Sequence, residues 1–212
     1  MSTQETKSKW DAAQSWEESW HLDQQFNTFN EEKKQYIYAS KMGLDTYKTD
    51  YYGQIGWDFG DRSVLDIGGG EVSMLLKSKA SKRIIIDPLM DKLPKWARMR
   101  YKEAGISAFS YRGEDVAKIN CSVDCVLIYN VLQHTDNPEV IIKEVRKICK
   151  EIRIFEWIDT PVNIGHIQTL TESNLNGWLG GEGRAENLNQ EGAVGRCYYG
   201  IFIGDKYASS SN

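Results

Sequence analysis

Short apolar runs rich in valine and isoleucine recur along the chain at residues 63–67, 83–86, 123–129 and 152–157, with a third strand read near 107–111. Runs of this length, without polar alternation, read as strands buried on both faces. Between them lie segments of helical composition. One follows the glycines after residue 67 to about Lys79, one runs from about Pro94 to Ala104, one from Pro138 to Lys150, and one is capped by Thr171 and ends at Leu179. Strands alternating with helices predict an α/β fold, a doubly wound and mostly parallel sheet with helices on both faces. The tail breaks this rhythm. After Gly180-Gly-Glu-Gly183, residues 185–188 and 197–203 read as two strands joined by 189–195, an antiparallel C-terminal hairpin.

Upstream of the first strand the pattern is helical. Residues 1–9 are polar and expected to fray. From Trp10 to about Tyr38 no glycine or proline interrupts a helix-forming composition, and Trp16 and Trp20 share one face. Gly43 marks a break, and Thr46 to Ile55 reads as a further short helix. The division that follows is an N-terminal helical extension over 1–58 and a ligand-binding body over 59–212. Two readings of the extension stand: a lid over the ligand crevice, or a cover that only completes the core.

Composition narrows the class. A chain of 212 residues with 41% hydrophobic and 26% charged residues suits one globular domain plus an extension. The polar start and the lack of an apolar run of membrane-spanning length predict a soluble, cytoplasmic protein with no membrane association. Four cysteines form no C-x-x-C pair, and with three histidines they argue against a metal site. A net charge of −4 makes a nucleic-acid partner a poor fit.

The chemistry concentrates at strand ends. Ser63-Val-Leu-Asp-Ile-Gly-Gly-Gly70 is a strand that turns sharply at three glycines, where backbone can approach a ligand closely. A dinucleotide site places pyrophosphate at such a turn and wants G-x-G-x-x-G, but Ser73 stands where the last glycine would be. Asp66, two residues before Gly68, would repel pyrophosphate and suits a ligand with an ammonium or sulfonium group. S-adenosylmethionine carries both. Asp87, before Pro88, ends the second strand, where an acid accepts ribose hydroxyls. Gly113-Glu-Asp115 follows the third strand, where an acidic side chain can accept from an adenine amino group.

With these residues and with Asn130-Val-Leu-Gln-His-Thr-Asp-Asn-Pro138, the chain resembles the class I S-adenosylmethionine-dependent methyltransferases, in their small-molecule branch, over roughly 60–204. It departs from the pattern at Val72, where the family's third glycine usually stands. The resemblance implies S-adenosyl-L-methionine as cofactor and S-adenosyl-L-homocysteine as product. It implies that Asp66 and Gly68, Gly69 and Gly70 flank the methionine moiety, that Asp87 with Pro88 holds the ribose, and that Glu114 or Asp115 contacts the adenine. Asn130 joins this set by orienting donor or acceptor. The Asn/Asp-Pro-Pro run of nucleic-acid amino-methyltransferases and the Pro-Cys of cytosine-C5 enzymes are both absent.

Acceptor residues are expected after strands four and five, because open α/β sheets bind ligands at the carboxyl ends of their strands. Glu156-Trp-Ile-Asp-Thr-Pro-Val-Asn-Ile-Gly-His166 is dense in polar groups for a connection. His166 is the preferred general base, with His134 the second candidate or a structural hydrogen-bonding group. Asp159 or Glu156 would orient the base or bind an acceptor hydroxyl, and Trp157 and Tyr199 would line the acceptor pocket. The expected activity is methyl transfer to oxygen or nitrogen of a small polar acceptor such as a sugar, a nucleotide-linked sugar or a secondary metabolite. The alternatives are a non-catalytic S-adenosylmethionine-binding or partner-binding protein, and an NAD-dependent oxidoreductase.

Overall fold

A computed structural model describes residues 3–22, 28–48, 55–190 and 192–208. Its centre is a seven-stranded sheet. In chain order the elements are helices α1 (Thr3–Leu22) and α2 (Thr28–Lys41), strands β1 (Thr46–Lys48), β2 (Ile55–Asp58), β3 (Ser63–Ile67), β4 (Ser78–Lys79) and β5 (Lys82–Ile86), and helix α3 (Lys95–Glu103). Then come β6 (Ser107–Phe109), β7 (Val123–Tyr129), α4 (Pro138–Ile148), β8 (Cys149–Trp157), α5 (Glu172–Leu179), β9 (Arg184–Gln190), β10 (Ala193–Ile203) and α6 (Asp205–Ala208).

The sheet order is β6-β5-β3-β7-β8-β10-β9. β6, β5, β3, β7 and β8 pair in parallel, and β10 runs antiparallel between β8 and β9. The doubly wound α/β sheet with its C-terminal hairpin is therefore present, with both hairpin strands longer than their apolar residues alone suggest. Alternation assigns the faces. Ile84 and Ile86 of β5 and Val126 and Ile128 of β7 pack with Ile141, Ile142 and Val145 of α4. Ile85, Leu127 and Phe155 point the other way, into a cluster with Tyr38, Met42 and Trp57. Both faces are thus covered, which is why these strands read as unbroken apolar runs.

Several local expectations are corrected. The stretch from Trp10 to Tyr38 forms two helices rather than one, and the first begins at Thr3 instead of fraying through residue 9. The connection between them, 23–27, lies outside the described residues.

Thr46 to Ile55 does not form a helix. Its ends are β1 and β2, paired antiparallel with Thr46 opposite Trp57. Burying the Trp57 side chain in the core decides this, and Gly56 lies so close to Lys77 O that a β-carbon would overlap it.

The helix expected from the glycine turn to Lys79 is a single 3-10 turn, Met74–Lys77. Ser73 Oγ caps its start by accepting from Leu75 N, and the Ser78 N–H donates to Leu75 O at its end. The chain then leaves as β4, which pairs in parallel with β2. The third strand is also short, ending at Phe109 rather than Tyr111.

Candidate active site

The carboxyl ends of β3, β5, β7 and β8 open on a cavity of about 500 Å³. Gly68, Gly69 and Gly70 form one wall, with Asp87 and Pro88 beside them and Gly113 and Glu114 beyond. Asn130, His134, Trp157 and His166 line the side nearer β7 and β8. The roof comes from the N-terminal helices, with Trp10, Gln14, Trp16 and Glu17 on α1 and Glu31, Lys34, Gln35 and Tyr38 on α2.

The glycine turn is shaped by its neighbours. Gly68 has φ +73°, and a β-carbon there would overlap Val131 Cγ2. At Gly69 a β-carbon would sit 2.6 Å from Ile85 Cγ2. Asp66 braces the turn from beneath. Its Oδ2 accepts from Ser73 Oγ at 2.5 Å and from Tyr129 OH at 2.7 Å, and it is fully buried. Burial pushes its pKa up to about 7, against the pull of those two donors. Tyr101 adds a second brace, with its hydroxyl donating to Gly70 O at 2.7 Å and accepting from Ser73 N at 3.0 Å.

Asp87 ties the second strand to this turn. Its Oδ2 accepts from Gly70 N at 2.9 Å and its Oδ1 from Leu89 N at 2.8 Å. The carboxylate lines the cavity wall beside the glycines. Glu114 Oε1 accepts from Arg112 at 3.2 Å, and the Arg112 guanidinium lies 4.1 Å from the Trp10 ring.

Two histidines face each other on the opposite side. The rings of His134 and His166 meet edge-on with centroids 4.9 Å apart. His134 Nδ1 lies 2.7 Å from Gly165 O and 2.9 Å from Glu17 Oε1. Gln133 Nε2 donates to Asn130 Oδ1 at 3.0 Å and is 3.4 Å from Nε2 of both histidines. Burial disfavours the His134 imidazolium, but the Glu17 carboxylate and the Gly165 carbonyl outweigh it and raise the pKa. For His166, burial and the charge of His134 lower it. Asn130 stands at φ +52°, a conformation asparagine tolerates better than most residues, and this turns the chain into the His134 segment.

Five of the expected site residues lie off the cavity wall. Asp66 sits beneath the turn. Asp115 pairs with Lys118 at 3.1 Å on the surface. Glu156 is fully buried and accepts from Val131 N and Leu132 N at 3.0 and 3.1 Å, so it anchors the turn that carries His134. Burial pushes its pKa up to about 7. Asp159 pairs with Arg196 at 2.6 Å, and Tyr199 packs beside Lys41. Conversely, Gln14, Glu17, Gln35 and Tyr38 reach the cavity without having stood out in the sequence, since no motif marks which side of α1 or α2 faces the sheet.

The arrangement fits S-adenosylmethionine on its own chemistry. Asp66 Oδ1 is buried without a hydrogen-bond partner beneath the turn, Asp87 sets a carboxylate on the cavity wall, and Glu114 lies beyond.

Residues 65–152 match the family described as "Methyltransferase domain". Among solved structures, the chain is similar to the plantazolicin methyltransferase BamL in complex with a triazolic desmethylPZN analog and S-adenosylhomocysteine. That likeness has 14% identity and TM-score 0.56, and covers 95% of this chain and 97% of that one. It is similar also to the N-methyltransferase NodS from Bradyrhizobium japonicum WM9 with S-adenosylhomocysteine, at 16% identity and TM-score 0.54, covering 69% and 80%. A putative methyltransferase in complex with the Haloferax volcanii Trm112 activator aligns at 10% identity and TM-score 0.53, covering 68% and 82%. No curated protein matches the chain by sequence. The match over residues 65–152 and these likenesses agree with a methyltransferase-type fold. Among the described residues no helix is long and apolar enough to cross a membrane.

Proposed function

We propose that the protein methylates oxygen or nitrogen of a small polar acceptor in the cytoplasm, with His166 as the general base. One observation carries the reading: a half-buried histidine, held below its ordinary pKa, lines the same cavity as the glycine turn and Asp87. S-adenosylmethionine, when bound, supplies a methyl group activated by its sulfonium.

The chain's residues supply position and proton handling. Gly68 to Gly70, Asp87 and Glu114 hold the donor, and Trp157 offers a flat wall to the acceptor. His166 takes the acceptor's proton at Nε2, the ring nitrogen nearest Gln133. The N-terminal helices serve as the lid that shuts water out, which raises the contribution of alignment to the rate. Lys34 and Glu31, paired at 2.6 Å on the cavity wall, favour a polar acceptor over an apolar one. Four free cysteines support a reducing compartment.

The test is a panel of amines, sugars and nucleotide sugars incubated with methyl-labelled donor and read by mass spectrometry. With an acceptor in hand, His166→Ala is expected to cut turnover roughly a hundredfold or more while leaving S-adenosylhomocysteine affinity nearly unchanged. Turnover intact in His166→Ala and abolished in His134→Ala would reverse the assignment.

A further inference from the structure

The histidine pair is not built by one part of the chain. His134 ends the turn after β7, His166 lies in the loop after β8, and the carboxylate that meets them, Glu17, comes from α1, more than a hundred residues earlier. Glu17 Oε1 and Gly165 O both lie within hydrogen-bond reach of a single nitrogen, His134 Nδ1, at 2.9 and 2.7 Å. Two acceptors facing one nitrogen require that it carry the proton. The tautomer and the ring plane of His134 are then settled, and His166 packs edge-on against that plane.

We propose that Glu17 is a positioning residue of the active site: through Nδ1 it orients and charges His134, and His134 in turn sets the state of His166. This rests on the reading of His166 as the base.

The groups facing His134 are Glu17 from α1, Glu156 from β8, and His166 with the Gly165 carbonyl from the loop after β8. Without the Glu17 carboxylate, burial would act on His134 with far less opposition, and the ring would lose its proton at lower pH. Its positive charge would then cease to hold down His166. Two neighbouring histidines whose surroundings push their pKa values in opposite directions are the pattern that separates acid from base roles. Glu17 is therefore the group through which docking of α1 reaches the reacting centre.

A purely structural role for Glu17 is disfavoured by the other contacts of α1. Trp16 packs on Gly165, where a β-carbon would come within 2.8 Å of the indole, and Glu18 pairs with Lys92 at 2.7 Å. Trp10 lies under Arg112 at 4.1 Å. These contacts hold α1 independently of the Glu17 charge, so Glu17→Gln is expected to change charge and not placement.

The test is an NMR pH titration of the full chain labelled at histidine, whose three histidines give three separable signals. In the wild type, His134 is expected to titrate above an ordinary histidine and His166 below it. In Glu17→Gln the His134 midpoint should fall, while Glu17→Asp should recover part of the wild-type behaviour; His166 loses both the charge of His134 and the opposing pull of Glu17, so His134 is the readout. Stabilisation by S-adenosylhomocysteine, retained in both variants, shows that the fold persists. Should Glu17→Gln fail to fold, the comparison of Glu17→Asp with wild type decides. A His134 midpoint unmoved in the variants overturns the proposal. The titration needs no acceptor and no turnover, so failure of His166 as base, read from His166→Ala activity, is distinguishable from failure of Glu17 as the residue that governs His134.

Discussion

Replacing Asp87 tests whether the tip of the second strand holds the donor. Asp87 is 7% exposed, braces Gly70 N and Leu89 N, and lines the cavity wall. Hydrogen bonds to a charged group contribute about 1.5–3 kcal/mol, so Asp87→Ala is expected to weaken S-adenosylhomocysteine binding roughly 10- to 150-fold. The same change strands two backbone amides, at about 1–3 kcal/mol each where they are buried, so the variant should also melt earlier. Asp87→Asn separates the two effects. It keeps one carbonyl oxygen for Leu89 N but places an amide donor or a neutral oxygen opposite Gly70, and should fall between alanine and wild type in both readouts. Titration calorimetry with S-adenosylhomocysteine, well below each variant's melting temperature, measures the first effect; thermal unfolding without ligand measures the second. An alanine variant that stays folded and binds with unchanged Kd would remove Asp87 from the donor site.

Gly68→Ala should destabilise the protein by about 1–3 kcal/mol, since it combines a positive φ with overlap against Val131, and should weaken donor binding as the turn shifts; a variant equal to wild type in melting temperature and affinity would show that the turn relaxes freely. Asp66 and Glu156, both raised to about 7 by burial, keep protons in the folded state that the unfolded chain has released, so stability should fall as pH rises from about 4 to 7. Each contributes up to about 1.4 kcal/mol per pH unit. Asp66→Asn should flatten that slope by one carboxyl's share in urea unfolding at pH 5, 6 and 7, and an unchanged slope would mean that Asp66 is ionised throughout.

The sheet was legible because its strands are covered on both sides, so Val64 to Ile67, Ile84 to Ile86 and Val123 to Tyr129 leave no polar face to blur the signal. The glycine turn and the acids at strand ends stood out for a related reason: they need no partner from elsewhere to be noticed. The roof of the cavity did not. Glu17, Gln35 and Tyr38 acquire meaning only once α1 and α2 have docked, and docking depends on contacts such as Trp16 on Gly165 that leave no spacing in the sequence. Glu156 and Asp159 look alike in a polar loop, yet one is fully buried under two backbone amides and the other pairs with Arg196 at the surface. Likewise Met74-Leu-Leu-Lys77 has helical composition, and only its exit into β4 shows why it stops after one turn.

That exit has a consequence for how the molecule opens. β4 hydrogen-bonds to β2, Phe59 N donates to Lys79 O at 2.8 Å, and Tyr47 OH donates to Lys77 O at 3.2 Å. The outer side of the glycine turn is therefore sewn to a three-strand patch drawn from the N-terminal segment. Hydrogen exchange tests whether the patch and the turn open together: the Trp57, Phe59 and Ser78 amides should then exchange in step with those of Gly68 to Gly70. A substitution that loosens Trp57 in its core would be felt as weaker cofactor binding, although Trp57 belongs to the core cluster and not to the cavity wall.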